Sequence, residues 1–193
     1  MKKALARSFA VVVIVALSVL LGYFSSQIWE RAEKKDYPLD YSEFVDAASE
    51  QFGVPKKIIY AVIKTESSFD ATAQSSAGAI GLMQITPATF EEISGKLGDN
   101  YEKGMMYDPE TNIRYGTYYL SYLYRYFGDW DIVYAAYNAG MGTVSGWLEN
   151  SDGTDEDGKL VNIPYQETEK YVSRVKEAIE KYSDLYGEDL QIS

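Results

Sequence analysis

Glu66 is the residue on which chemistry could rest. It stands in Glu66-Ser67-Ser68-Phe69, and Ser75-Ser76-Ala77-Gly78-Ala79-Ile80-Gly81-Leu82-Met83-Gln84 follows after a short gap. One carboxylate at a helix end thus faces a loop of small, polar and glycine residues. An isolated carboxylic acid in that setting suits a general acid working in a cleft. The chain contains no His and no Cys. That excludes His-based acid/base catalysis, Ser-His-Asp triads, thiolate nucleophiles and ordinary zinc sites. Catalysis must draw on Asp, Glu, Tyr, Lys or Ser.

The partial negative charge at a helix C-terminus disfavours a carboxylate and raises its pKa. That effect is worth about 0.3 to 1 kcal/mol, under one pKa unit, whereas burial supplies several units. An acid useful at neutral pH therefore needs an apolar cleft. Phe69, Ile80, Leu82 and Met83 are near enough in sequence to wall it, and Gly78 and Gly81 would let backbone approach a bulky ligand. On sequence chemistry alone, a surface glutamate closing a helix is the simpler account. Asp70 is a conceivable second carboxylate, but it falls past the helix end and reads as a turn residue.

The elements that must position these groups are helical. A segment near Ser42 to Phe52 precedes a helix with Pro55 at its first position and Ile58, Ile59, Val62 and Ile63 at helical spacing, running into Glu66. Thr86-Pro87 opens a short helix, and Asp108-Pro109-Glu110 caps a long one ending near Gly128. Asp129 caps the next, another follows Gly140 to Leu148, and the last runs from about Glu167 to Tyr186. The only strand-like run is Ala77 to Ile85. Of 18 tyrosines, Tyr115, Tyr118, Tyr119, Tyr122 and Tyr126 form a stripe on the long helix, read mainly as core and rim packing. Ser151 to Gly158 is rich in carboxylates but lacks EF-hand spacing and reads as a solvated loop.

Residues 1–24 form a cytoplasmic tip and membrane anchor, or a signal peptide; 25–40 form a stalk; 41–193 form one catalytic domain. Phe9 to Phe24 is nearly unbroken apolar sequence. At about 1.5 Å per residue it spans roughly 24 Å, short of a core of roughly 30 Å unless Ala4 to Ala6 join it and Arg7 snorkels. No A-x-A-like pair follows the run, which favours an uncleaved signal-anchor over a secreted product. Lys2, Lys3 and Arg7 keep the N-terminus inside, placing a single-pass protein in the cytoplasmic membrane with its domain extracytoplasmic. Removing those three positive charges from the net charge of −11 leaves −14 on the remainder. Nucleic acid is therefore not a partner. With no cysteine, the fold depends on its core rather than on disulfides.

Three blocks in order, Glu66-Ser67-Ser68-Phe69, Ser75-x-x-Gly78-Ala79-x-Gly81-Leu82-Met83-Gln84 and Ala136-Tyr137-Asn138-Ala139-Gly140, resemble the motifs of lysozyme-like lytic transglycosylases. The resemblance is to the soluble-lytic-transglycosylase (SLT) catalytic domain. It extends through Asp108-Pro109-x-x-Asn112-Ile113-x-x-Gly116, Tyr119-Leu120 and Ile163-Pro164-Tyr165-x-Glu167-Thr168-x-x-Tyr171-Val172, covering Phe44 to Tyr182.

The resemblance implies a mainly α, lysozyme-like fold of the goose-type lysozyme class. It also implies cleavage of the β-1,4 bond between N-acetylmuramic acid and N-acetylglucosamine in peptidoglycan, leaving a 1,6-anhydromuramoyl end without metal or organic cofactor. Glu66 is then the catalytic acid. It protonates the glycosidic oxygen and, as a carboxylate, takes the proton of the sugar's own C6 hydroxyl as that attacks C1, so no second carboxylate is required. By the same resemblance Ser75 and Gln84 contact the substituents of the sugars. Tyr137 orients the glutamate, Asn138 fixes its turn or touches sugar, and Glu167 stands across the groove, where it contacts the muropeptide or supports the site; on sequence chemistry alone it reads equally as an acidic first-turn residue of the last helix. Some relatives carry a methionine two positions after the glutamine, where this chain has Thr86. The alternatives are a hydrolytic muramidase on the same scaffold and a non-catalytic peptidoglycan-binding scaffold. The implied partners are glycan strands, the cytoplasmic membrane through the N-terminal helix, and wall or secretion machinery of unknown identity.

Overall fold

The computed structural model describes the backbone of residues 2–100, 102–149, 160 and 162–190, and side chains outside 2–16, 103, 188 and 189. The acidic loop 151–158 lies outside the described residues. The chain divides into two compact units, Met1–Pro38 and Leu39–Ser193.

The first unit is one helix, α1 (Lys2–Asp36). The expected stalk is helical to Asp36, since Ser25 to Asp36 contains neither Gly nor Pro, and Lys34 pairs with Glu30 one turn back at 2.7 Å. Pro38 disfavours helical backbone at Tyr37, and the helix stops there. Among the described residues no helix is long and apolar enough to cross a membrane. Side chains 2–16, which carry much of the expected anchor, lie outside the described residues. Those of Leu17, Leu20, Leu21 and Phe24 are more than half exposed.

The second unit is helical: α2 (Ser42–Phe52), α3 (Lys56–Glu66), α4 (Pro87–Leu97), α5 (Pro109–Phe127), α6 (Trp130–Ala139), α7 (Met141–Glu149) and α8 (Gln166–Tyr186). Short 3-10 turns lie at Lys103–Tyr107 and Gly187–Leu190. The starts follow the side-chain oxygens read in the sequence. Asp108 accepts from Thr111 N at 2.9 Å, Asp129 from Asp131 N at 2.8 Å, and Thr86 from Thr89 N at 3.3 Å. Pro55 differs by one position: it precedes α3 as the cap rather than opening it. Gly53, Gly98 and Gly128 end α2, α4 and α5 in left-handed conformation.

α3 packs on α8, α2 on α5, and α6 lies against both α5 and α8. Ile59, Val62, Ile63, Ile113, Leu120, Val133 and Val175 fill the space between them and are essentially inaccessible. α8 thus lies against both α3 and α6, so Glu66, the last residue of α3, is delivered beside α8. No strand forms among the described residues. The strand-like run appears as two isolated antiparallel bridges, Gln74 with Ile80 and Ile80 with Ile85.

Candidate active site

Glu66 is the last residue of α3. Ser67 and the two residues after it turn the chain away sharply, with Ser68 and Phe69 both in left-handed conformation (φ 51° and 70°). Gln84, at the far end of the facing loop, is left-handed as well (φ 48°). Such backbone costs about 1 to 3 kcal/mol per residue and persists where the surroundings over-determine it. Here Ser67 Oγ donates to the Leu82 carbonyl at 2.8 Å, tying the helix end to the loop.

The loop is held from below by Asn112 on α5. This fully buried side chain accepts from Met83 N at 2.8 Å and donates to the carbonyls of Ile80 at 3.0 Å and Met106 at 2.8 Å. Gly81 is required by the same clamp. A Cβ there would lie 2.3 Å from Asn112 Nδ2 and 2.5 Å from the Met106 carbonyl oxygen, at φ +82°. The close approach thus serves Asn112, whereas a Cβ at Gly78 would meet nothing within 4 Å. Gly116 makes room for Met83, whose sulfur a Cβ would approach to 2.3 Å. Ile80, Leu82 and Met83 are core residues beneath the loop and do not wall the cleft.

Glu66 remains partly accessible, yet protein crowds its carboxyl group, and desolvation pushes its pKa from an ordinary 4.5 up to about 7. Two groups on α8 oppose the rise, the Tyr171 hydroxyl and then the Arg174 guanidinium. Tyr171 Oη is buried and makes no well-formed hydrogen bond among the described residues. Glu66 is the acceptor it faces, and burial, with the neighbouring Glu66 charge second, holds the phenol well above its usual pKa. Among the described residues no other carboxylate is among the groups that set the ionisation of Glu66. Asp70 is an exposed turn residue that accepts from Thr72 N and Oγ1 at 2.8 and 2.7 Å.

Beside Glu66 lies a cleft of about 240 Å³ lined by Gln84, Thr86, Tyr119, Tyr137, Asn138 and Gly140 among others. Glu66 does not line it. Tyr137 connects the two, because it lines the cleft and is coupled electrostatically to Glu66. Its hydroxyl proton is committed to the Met83 carbonyl at 2.8 Å, so of the two phenols near Glu66 it is Tyr171 whose proton is left to face the carboxyl group. Gln84 donates its amide to the carbonyls of Ala73 at 3.1 Å and Gly81 at 2.9 Å, which leaves its side-chain oxygen for a ligand. Asn138 is exposed and accepts from Thr168 Oγ1 at 2.9 Å, linking α6 to the start of α8.

Ser75 is outside this cleft. Its hydroxyl accepts from Ala79 N at 3.0 Å and closes its own turn. Glu167 is exposed on α8 and lines a separate groove with Lys170, Ser173 and Arg174. Tyr171 and Arg174 were not singled out from the sequence as neighbours of Glu66. The available signal was helical spacing from Glu167, which puts positions 171 and 174 on one face.

The family model for the transglycosylase SLT domain matches residues 43–159. The soluble lytic murein transglycosylase of Escherichia coli is 37% identical over 155 residues, covering 78% of this chain and 24% of that protein. Membrane-bound lytic murein transglycosylase C of Serratia proteamaculans is 35% identical over 142 residues, covering 67% of this chain and 38% of that protein. Among solved structures, the 70 kDa soluble lytic transglycosylase of Escherichia coli superposes with a TM-score of 0.73 at 36% identity, over 80% of this chain and 26% of that one. An inactive mutant of the lytic transglycosylase Slt from Pseudomonas aeruginosa gives 0.70 at 32% identity, over 78% of this chain and 25% of that one. The chain spans about a quarter of the length of the soluble relatives it matches. With a matching family model over more than half its length, a mainly α, lysozyme-like fold and the motifs in order, the chain belongs to the transglycosylase SLT domain family.

Proposed function

We propose that the protein is a peptidoglycan lytic transglycosylase in which Glu66 acts as acid and then as base. The observation that carries this reading is a carboxyl group with a pKa near 7, beside a cleft and, among the described residues, without a carboxylate partner. A group half protonated at neutral pH serves both directions of proton transfer. Protonated Glu66 gives its proton to the glycosidic oxygen as the bond to C1 breaks. The resulting carboxylate accepts the C6 hydroxyl proton as O6 bonds to C1, which restores the acid and closes the 1,6-anhydro ring. Glycosidases that work with two carboxylates need the second as nucleophile or base. Here the sugar's own hydroxyl fills that role.

Tyr171 holds the carboxyl group in register and stabilises its charged form between the two transfers. Gln84, Tyr137 and Asn138 supply the polar and aromatic surfaces of the cleft that orient the sugars. Ser75 sets the shape of the facing loop, and Glu167 lies at the rim of the neighbouring groove. Hydrolysis by a muramidase on this fold is the second reading, distinguished by water in place of O6.

The same proposal places the enzyme at the outer face of the cytoplasmic membrane, anchored by α1. Support comes from Lys2, Lys3 and Arg7 ahead of Phe9 to Phe24, the exposed Leu17, Leu20, Leu21 and Phe24, and the name of the membrane-bound relative.

The test is mass spectrometry of muropeptides released from purified peptidoglycan by the full chain, beside Glu66→Gln. Products one water lighter than reducing-end muropeptides, absent with the variant, are expected. Reducing-end products would establish the muramidase, and full activity of Glu66→Gln would overturn both readings.

A further inference from the structure

The last turn of α5 and the first of α6 carry an aromatic stack outside the residues that line the cleft. Tyr124 lies against Trp130 at a centroid distance of 4.3 Å with the planes 20° apart, and Trp130 lies against Tyr134 at 5.9 Å and 22°. Exposure rises along the stack: Tyr134 is 3% accessible, Trp130 is half-buried and Tyr124 is 40% accessible. Trp130 covers one face of Tyr124, so the accessible surface of that ring is its opposite face and its rim. A single exposed tyrosine is ordinary, whereas one braced parallel to an indole presents a flat, preformed face.

This face continues the aromatic contacts of the cleft. Tyr119 of α5 and Tyr137 of α6 pair at 5.5 Å where they line the cleft, and Tyr124 and Trp130 are a second pair between the same two helices. Trp130 and Tyr137 are two turns apart and share one face of α6. At about 1.5 Å per residue the stack stands roughly 7 to 11 Å along the helix pair from the cleft. A chain of linked pyranose rings bridges that interval while it stays seated in the cleft.

A flat aromatic face offers dispersion contact to the C-H face of a pyranose ring. Burial, and then the charges of Asp131 and Asp129, push the Tyr134 phenol above its usual pKa, which puts both carboxylates beside the stack. Asp131 is paired with Lys176 at 2.6 Å. Asp129 takes its helix-capping bonds on Oδ1, from Asp131 N at 2.8 Å and Ile132 N at 3.2 Å, which leaves Oδ2 to accept from a hydroxyl. A carboxylate next to the rings, in a chain of net charge −11, disfavours an anionic surface such as acidic lipid and favours a neutral, hydroxylated ligand. We propose that Tyr124, braced by Trp130, is a glycan-binding platform outside the cleft that takes one pyranose ring of the strand being cut. That the strand is peptidoglycan rests on the transglycosylase reading above; the affinity of the platform for neutral sugar does not. A second hold on the same strand favours long glycan over short fragments.

Two measurements on the full chain test this. In the first, tetra-N-acetylchitotetraose, a neutral β-1,4 glycan, is titrated into the Glu66→Gln chain in a detergent without a sugar headgroup. The indole N-H signal of Trp130, assigned through Trp130→Phe, is followed by NMR. It is expected to shift saturably, with an apparent affinity at least fivefold weaker when Tyr124→Ala is added and retained with Tyr124→Phe. A Trp130 signal that the glycan leaves in place, or that responds equally with Tyr124→Ala, overturns the platform. A signal that responds to phosphatidylglycerol vesicles and not to glycan overturns it in favour of a membrane surface. In the second, kcat/KM is measured on long glycan strands and on a tetrasaccharide fragment. The ratio of the two is expected to fall at least threefold in Tyr124→Ala, and an unchanged ratio overturns the assignment to the strand being cut. If wild type cleaves neither, the transglycosylase reading falls, while the titration still decides the platform.

Discussion

Replacing Glu66 by Gln should stabilise the protein, and only where the pH is high enough to charge the glutamate. Its carboxyl pKa rises from 4.5 to about 7 in the folded state because the charged form is desolvated. A raised folded pKa means that the folded state holds its proton more tightly than the unfolded chain. The contribution to stability is complete below pH 4.5 and is lost as pH rises to 7. With about 1.4 kcal/mol per pKa unit, the full penalty of charging the group is about 3 kcal/mol. Linkage gives a penalty of about 1 kcal/mol at pH 5.5 and about 3 kcal/mol at pH 8.5. The advantage of Glu66→Gln over wild type should therefore grow by about 2 kcal/mol across that interval. For a domain of this size that is a relative shift in Tm of about 4 to 8 °C. The comparison of two pH values cancels any fixed effect of the amide on packing. The assay is thermal or urea unfolding of both proteins at pH 5.5, 7 and 8.5. A stability difference that does not change with pH would refute the claim that Glu66 is held in a desolvated site.

Further outcomes are expected from the residues around it. In wild type, kcat/KM should fall as pH rises through about 7, since only protonated Glu66 can donate to the leaving oxygen. Tyr171→Phe removes a donor to the carboxylate, so this alkaline limb should move to higher pH; a limb in the same place would exclude Tyr171 as a positioning residue. Asn112→Ala strands Met83 N and the carbonyls of Ile80 and Met106, and should cost about 3 kcal/mol or more, with loss of activity. Gly116→Ala drives a methyl group into Met83 and should cost about 1 to 3 kcal/mol. That cost should shrink in a Met83→Ala background, as urea unfolding of the four proteins of the cycle would measure.

The helices were legible because their signals are local. Asp108, Asp129 and Thr86 each cap the helix they precede in sequence, and the glycines at 53, 98 and 128 end helices where left-handed backbone is needed. Glu66 as the last residue of α3 was legible for the same reason. The environment of its carboxyl group was not. Tyr171 and Arg174 follow it by more than a hundred residues, and only the packing of α3 on α8 brings them to it. The loop from Ser75 to Gln84 misled in one respect. Its small residues suggest openness to ligand, yet Gly81 is spent on Asn112, and Ile80, Leu82 and Met83 point into the core. Composition does not distinguish a glycine that admits substrate from one that admits a buried asparagine. Tyr137 posed a similar ambiguity, because a hydroxyl near the acid can bond either to it or to the loop beneath, and it bonds to Met83.

The three bonds of Asn112 divide labour within the site in a way that bears on how such domains diversify. The path of residues 80–83 is dictated by a helix elsewhere in the chain, while Asp70 to Gly78 closes through its own turns at Asp70 and Ser75. The arc is tied back through backbone, with Gly81 N and the Gln84 amide both donating to the Ala73 carbonyl, so its side chains, but not its length, can change without disturbing the register of the acid, as interchangeable jaws fit one vice. Substrate preference can be retuned there by mutation at little cost to folding, and a library randomised at residues 71–78 should retain many folded members with an intact Glu66.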